Sequence, residues 1–424
     1  MTTLAIIGTG VAGLGCAHFL HSRYDLTLFE QNDYPGGHTN TITVNEEGRP
    51  IPIDTGFMVY NEVTYPNLTR LFRELDVQTK PTTMSFSVRH QPSGIEYNGA
   101  GLNRLFGQRR NLISPRFWRL LTQMNRFNAE AIPALEDPTY STYTVRRYVE
   151  ARSYGEDFLN LFLVPMSSAV WSTPPDKMLD FPAVTLLRFF HNHGFLGLHT
   201  HHPWRTLLGG AKTYVAKMSA PWRDRICLNR KAVKVSRSPG TVRVHTSDGA
   251  ESRFDKVILA SHADESLRLL ADPTPTEHRL LSQFQYQPNT ASLHTDTSFM
   301  PRARACWASW NYRIDQQPAG GTRPSTHYWM NSLQGVSRRK NYFVSLNSHD
   351  RIAPEAVLRR IDYTHPLFSL DAIAAQKELP ALNCIASDQT TYFCGSYFKY
   401  GFHEDAFTSG LDCARAVACE PIWT

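Results

Sequence analysis

The chain has 424 residues, 42% of them apolar, with 44 basic against 38 acidic residues and a formal net charge of +6. That is enough chain to bury the cores of two or three domains, and no apolar run is long enough to cross a membrane. Cys16, Cys227, Cys306, Cys384, Cys394, Cys413 and Cys419 include no C-x-x-C pair, which excludes a disulfide framework or zinc-type spacing and points to reduced thiols. With no basic, cleavable leader at the start, a cytoplasmic location is expected.

The chain opens with an apolar strand over Leu4–Gly8, a helix from Val11 to Ser22 and a second strand over Asp25–Glu30. Gly8, Gly10 and Gly13 spell G-x-G-x-x-G, and Glu30 follows Gly8 by 22 residues. This is the dinucleotide-binding βαβ pattern. Gly8 permits the tight turn, Gly10 lets backbone approach a pyrophosphate, and Gly13 seats the helix on the strand. The first helical residues, Val11 and Ala12, then offer free amides and the positive end of a dipole to phosphate. Glu30 is placed to accept from both ribose hydroxyls, which argues against a 2′-phosphate.

Next come the doublet Gly36-Gly37 with His38 and Thr39, an extended piece over Pro50–Asp54 leading to Thr55 and Gly56, and helical spacing from Tyr65 to Leu75. Residues 97–200 read as mostly helical. Ser114-Pro115 starts one helix, with Phe117, Leu120, Leu121, Met124 and Phe127 on one face. Pro239-Gly240 joins two alternating strands, Asp248-Gly249 marks a turn, and Lys256–Ala260 reads as a buried parallel strand. Residues 290–350 carry the aromatic and β-branched pattern of a second sheet. Thr391–Gly395 is a strand followed by a loop and a last helix from Glu404 to Cys419. Gly209-Gly210 and Gly320-Gly321 open no second fingerprint, so a single dinucleotide is expected.

The charge is uneven. No acid occurs from Tyr97 to Ala129, where Arg104, Arg109, Arg110, Arg116, Arg119 and Arg126 lie; a second acid-free stretch runs from Phe181 to Arg223. Such surface meets phosphate. No nucleic-acid module is present, so lipid is the expected partner. Trp118 and the arginines around the 117–127 stripe suit a peripheral membrane contact; a core-facing helix with a solvated polar side is the other reading.

Gly36-Gly37 after the second strand, Ala260 before Ser261 and His262, the segment Asp54-Thr55-Gly56, and the C-terminal glycine loop before a helix together resemble the flavin amine oxidase superfamily. The resemblance implies FAD and an α/β fold: a Rossmann-like FAD-binding domain of the amine oxidase and glutathione reductase type, with an α+β substrate domain. The FAD-binding domain is expected from 1–75, 205–270 and 386–424, and the substrate domain from 76–204 and 271–385. G-G-H-T at 36–39, G-F-M-V-Y-N-E-V-T-Y-P-N-L at 56–68, M-S-F-S-V at 84–88, F-L-V-P-M-S-S-A-V-W-S at 162–172 and Y-G-F-H-E-D at 400–405 are similar to the FAD-binding oxidoreductases fused ahead of plant cyclopropane fatty acid synthases. They are similar also to stand-alone bacterial proteins associated with such lipid methyltransferases. This implies work on phospholipid-borne acyl chains, such as desaturation next to a methyl branch on the way to furan fatty acids, and a lipid methyltransferase partner. The chain departs from the wider superfamily at His38, where arginine is common, and at Gly395-Ser396-Tyr397, where an acid often follows the glycine.

The cofactor-binding set is then Gly8, Gly10, Val11, Ala12, Gly13, Glu30, Gly36, Gly37, His38, Thr39, Thr55, Gly56, Phe57, Met58, Val233, Ala260, Gly395, His403, Glu404 and Asp405. A desaturase needs a hydride acceptor and a base. His403, Glu404 and Tyr60 are the catalytic candidates, with His38 beside them; the other reading of His403 and Glu404 is that they hold the loop and cap the last helix. Lys399 resembles the lysine that contacts flavin N5 through water in some amine oxidases. His191, His193, His199, His201 and His202 crowd a short stretch without a metal-ligand spacing, so no metal is expected. Val164-Pro165-Met166 and Trp171 are expected around an acyl pocket. The runner-up activity is oxidation of a small amine, and a third reading is a flavoprotein that assists a lipid methyltransferase without turnover.

Overall fold

Leu4, Ala5 and Ile6 are fully buried, as a strand covered on both faces requires. In the computed structural model, which describes residues 1–197, 200–318, 320–383 and 389–423, the strand Thr3–Ile7 lies in the middle of a five-stranded parallel sheet. The order across it is Ile226–Cys227, Asp25–Phe29, Thr3–Ile7, Lys256–Leu259, Thr391–Phe393. Side chains alternate between two cores. Leu4 and Ile6 join the helices Val11–Leu20 and His403–Ala418 on one face, whereas Ala5 and Ile7 meet Val235, Val244 and Phe284 on the other. The two helices touch through small residues: a Cβ on Gly410 would stand 2.4 Å from the Ala12 carbonyl oxygen. The chain leaves Thr3–Ile7 toward one neighbouring strand and returns on its other side, so a crevice opens at the carboxyl end of that strand, the usual position of a ligand in such sheets.

A second sheet has seven strands in the order Val357–Leu367, Gln285–His294, Phe343–Leu346, Thr322–Trp329, Trp310–Gln316, Phe86–His90, Ile95–Asn98. All neighbours are antiparallel except Trp310–Gln316 with Phe86–His90. Helices Pro115–Glu136, Val164–Trp171 and Ala183–Asn192 build a core against this sheet, with Phe117, Leu120, Phe127, Trp171 and Phe190 in one apolar cluster with Trp310 and Tyr312. The Ser114 hydroxyl accepts from the Phe117 amide at 3.3 Å, and Pro115 follows as the first helical residue. The stripe from Phe117 to Phe127 therefore faces the core, with Trp118 left 49% exposed.

The turns at Pro239-Gly240 and Asp248-Gly249 join the strands expected there. Three strands of the second sheet lie outside the expected pattern. Phe86–His90 and Ile95–Asn98 fall inside 76–204, the part of the substrate domain expected to be mostly helical, yet complete the second sheet. Val357–Leu367 extends that sheet past residue 350. It is an edge strand, so charged residues and Pro366 are tolerated there and mask its period. The division expected at 385/386 lies outside the described residues. Among the described residues no helix is long and apolar enough to cross a membrane.

Candidate functional site

A cavity of about 790 Å³ opens at the carboxyl end of Thr3–Ile7 and runs toward the second sheet. Its floor is the glycine turn. Gly8 has φ +101°, and a Cβ there would meet the Ala260 carbonyl oxygen at 2.8 Å; a Cβ on Gly13 would meet the Gly8 carbonyl oxygen at 2.0 Å. Both positions are closed to side chains by backbone. Gly10 is different: a Cβ would meet nothing within 4 Å, because that space belongs to the cavity. The helix it precedes has no side-chain cap. Free amides, a positive dipole end and open space together fit a phosphate group. The Gly36 amide donates to the Thr9 carbonyl at 2.9 Å and ties the glycine doublet to this turn.

Glu30 sits at the cavity edge, buried. One carboxylate oxygen accepts from the Thr9 amide at 3.1 Å and from the Thr9 hydroxyl; the other accepts from the Asn32 amide at 2.9 Å and side chain at 2.8 Å. Of the expected cofactor set, Gly8, Gly10, Val11, Ala12, Glu30, Gly36, Gly37, His38, Gly56, Phe57, Met58, Val233, Ala260, Gly395 and His403 line the cavity. Gly13 lies beneath the turn. Thr39 and Thr55 stand behind the wall, where the Thr55 hydroxyl pairs with the Tyr363 hydroxyl at 2.9 Å.

His403 is the best-placed titratable group. Its ring stacks on Phe57 with centroids 3.8 Å apart, and its Nε2 lies 2.7 Å from the Tyr214 hydroxyl and 3.3 Å from the Thr39 hydroxyl. Its Nδ1 has no protein partner among the described residues. Burial pushes its pKa down to about 3, so the ring is neutral at ordinary pH. Tyr214 has no signal of its own in the sequence; it lies 189 residues from His403 and is brought there by tertiary packing alone.

The other candidates point elsewhere. The Glu404 carboxylate accepts from the Asn67 amide at 2.9 Å and the Leu68 amide at 3.0 Å, capping the helix Pro66–Glu74. Asp405 accepts from the Phe402 amide at 3.0 Å at the start of its own helix, and burial raises its pKa to about 7. Tyr60 is buried against Phe72, with ring centroids 5.1 Å apart, and does not line the cavity. Lys399 is exposed and also off the lining.

A group of imidazoles flanks the glycine turn. His38 stacks on Tyr363 at 4.7 Å, with His365 at 5.3 Å and His262 at 6.4 Å. Burial, then mutual repulsion among these rings and His403, holds His38 well below the usual histidine range. Tyr363 and His365 come from the edge strand Val357–Leu367, which sequence reading did not resolve.

The wall facing the second domain is apolar: Met84, Val170, Trp171, Phe189, Phe195, Trp204, Trp310, Tyr328, Leu333 and Phe402 line it, with no Asp, Glu, Lys or Arg among them. His193 is its main polar member. Its Nδ1–H donates to the Phe189 carbonyl at 3.0 Å, and burial lowers its pKa to about 4. Of the other clustered histidines, His202 bonds the Asn192 carbonyl at 2.9 Å, and His199 lies outside the described residues, as does Cys384. Three cysteines distant in sequence, Cys16, Cys394 and Cys413, converge with their sulfurs within 4.8 Å of one another in the buried seam between the opening and closing helices. Burial raises the Cys16 and Cys413 pKa values, and the Cys16 thiol donates to the Gly410 carbonyl at 3.2 Å, so these two are held as thiols, while hydrogen bonds from both lower the Cys394 pKa to about 5.

A family model described as flavin containing amine oxidoreductase matches residues 11–418. Among solved structures, a putrescine oxidase bound to putrescine aligns at 13% identity over 99% of both chains, with a TM-score of 0.66. A fatty acid isomerase from P. acnes aligns at 14% identity over 99% of both chains, again with a TM-score of 0.66. Cyclohexylamine oxidase from Brevibacterium oxydans IH-35A aligns at 15% identity over 98% of both chains, with a TM-score of 0.65. No curated protein matches in sequence. At these identities the likeness is one of fold.

Proposed function

The chain belongs to the flavin-containing amine oxidoreductases and uses FAD, and from that premise we propose that it oxidises a fatty acyl chain, as carried by a phospholipid, by desaturation. FAD supplies, when bound, the acceptor for the hydride that leaves the acyl chain. The protein supplies the rest. The Gly8–Gly13 turn and the uncapped helix behind it hold the pyrophosphate, and Glu30, fixed by Thr9 and Asn32, offers its carboxylate to the ribose. His403 takes the proton that must leave the carbon next to the one losing hydride. Its neutral ring, steadied by Phe57 and Tyr214, leaves Nδ1 free for that work. The wall from Met84 to Leu333 excludes water and holds the acyl chain by contact alone.

The observation that carries this reading is that, among the described residues, the carboxylates lining the cavity are Glu30, Glu265 and Asp362, and none stands on that wall. An ammonium taken from water into such surroundings would meet aromatic faces but no counter-charge, whereas a methylene chain gains roughly 0.8 kcal/mol for each CH₂ buried. The fatty acid isomerase neighbour is in keeping with it. The putrescine and cyclohexylamine oxidase neighbours favour a second reading, oxidation of a small amine. Binding separates the two: a methyl-branched acyl phospholipid in detergent is expected to shift the visible spectrum of the bound flavin, and putrescine is not. A shift with putrescine and none with the acyl lipid would overturn the proposal. The resemblance to oxidoreductases joined to cyclopropane fatty acid synthases supports a reaction order in which a lipid methyltransferase supplies the branched chain.

A further inference from the structure

Beside the start of helix Pro115–Glu136 stands an apolar ridge. Ile113 is 85% exposed, Leu102 69%, Trp118 49% and Leu112 48%. They form one patch around Phe106. The Trp118 ring lies 5.3 Å from that of Phe106, the Trp118 indole N–H donates to the Leu112 carbonyl at 2.9 Å, and the Phe106 amide donates to the Leu102 carbonyl at 3.1 Å. Large apolar side chains are not left out in a contiguous patch without a use.

Next to the ridge opens a second cavity of about 400 Å³, in which Arg89, Arg110, Arg302 and His90 surround a single acid, Glu96. That acid is already engaged: it accepts from the Arg302 and Ala303 amides at 3.0 Å each and pairs with Arg89 at 3.4 Å. Arg110 donates to the Gly94 carbonyl only, and the exposed Arg302 side chain makes no hydrogen bond or ion pair among the described residues. Positive charge from Arg110 and Arg302 is therefore left over beside the apolar ridge, where the nearby Asp157 is already paired with Arg116 at 2.6 Å.

We propose that this face docks on the surface of an anionic lipid bilayer. Ile113, Leu112, Leu102 and Trp118 enter the headgroup boundary, where an amphipathic indole is at home, and Arg110 and Arg302 hold a lipid phosphate. The assignment stands apart from the reading of the flavin site, because docking needs no turnover.

Sedimentation of the FAD-loaded full chain with vesicles tests it. Vesicles of phosphatidylcholine with phosphatidylglycerol are expected to carry the protein down, those of phosphatidylcholine alone about tenfold less, and raised salt to release it. Ile113→Glu and Arg302→Glu are each expected to lower the bound fraction about tenfold, while Val63→Glu, at a residue 60% exposed elsewhere on the chain, leaves it unchanged. All three positions are exposed, and the bound-flavin absorbance verifies that each variant is folded. Pelleting that ignores lipid charge, or that survives both Ile113→Glu and Arg302→Glu, would overturn the proposal. Failure to pellet with any vesicle would overturn it too and leave the ridge to a protein partner. None of these outcomes touches the acyl-oxidation reading.

Discussion

Gly10 and Gly13 are separated by two residues and respond differently to a methyl group. A Cβ on Gly13 has backbone 2.0 Å away, whereas a Cβ on Gly10 enters open cavity at an ordinary backbone φ of −62°. Gly13→Ala is expected to lose folded protein, since overpacking costs about 1–3 kcal/mol or more. Gly10→Ala is expected to melt like the parent yet bind FAD at least about tenfold more weakly, a loss of about 1.4 kcal/mol, read by flavin fluorescence titration. Equal FAD affinity in Gly10→Ala would show that the pyrophosphate lies elsewhere. His403→Ala is expected to slow flavin reduction by about 10²-fold or more with FAD still bound. Tyr214→Phe, which leaves Nε2 without its 2.7 Å partner, is expected to give a smaller loss. An unchanged rate in both would remove His403 from the chemistry.

Among the elements, the helix Pro66–Glu74 depends on a residue from the other end of the chain. It has no side-chain cap of its own, and Glu404 supplies acceptors to its first amides. Glu404→Ala is expected to destabilise the protein by roughly 1–3 kcal/mol by stranding buried donors, with the flavin-reduction rate unchanged. A collapse of rate at constant melting temperature would make Glu404 catalytic instead. The opening βαβ unit was legible because strand, glycines, helix and acid are local in sequence. Glu404 was legible only as the start of a helix, since its partners lie 337 and 336 residues away. The edge strand Val357–Leu367 escaped detection because its period is broken by exposed charge, and with it went Tyr363 and His365, which stand against His38. The apolar stripe on Pro115–Glu136 read equally well as core or membrane face; packing put the stripe in the core and left Ile113 and Trp118 outside.

Among the described residues, more neutral imidazoles than raised carboxyls are buried. His193, His294 and His365 are held at about 4, and His403 at about 3, by burial. In the unfolded chain these rings bind protons below about pH 6.5; in the folded protein they do not until near pH 4. Folded stability from these groups is therefore present above pH 6.5 and lost as pH falls toward 4. Asp54, raised to about 6, and Asp405, raised to about 7, act in the opposite direction, because their neutral forms suit the fold and stability from them is lost as pH rises through those values. With the imidazoles in the majority, the thermal midpoint is expected to fall between pH 6.5 and 4.5; a flat or rising midpoint over that window would contradict the burial assigned to these rings. The same interior, apolar where the cavity faces the second sheet, underlies the proposed activity. Anaerobic mixing of the FAD-loaded protein with a methyl-branched acyl phospholipid tests it most directly. The flavin's yellow absorbance is expected to bleach with that lipid and to persist with putrescine or cyclohexylamine. Bleaching by the amines alone, or a flavin that stays yellow with every acyl substrate, would contradict it.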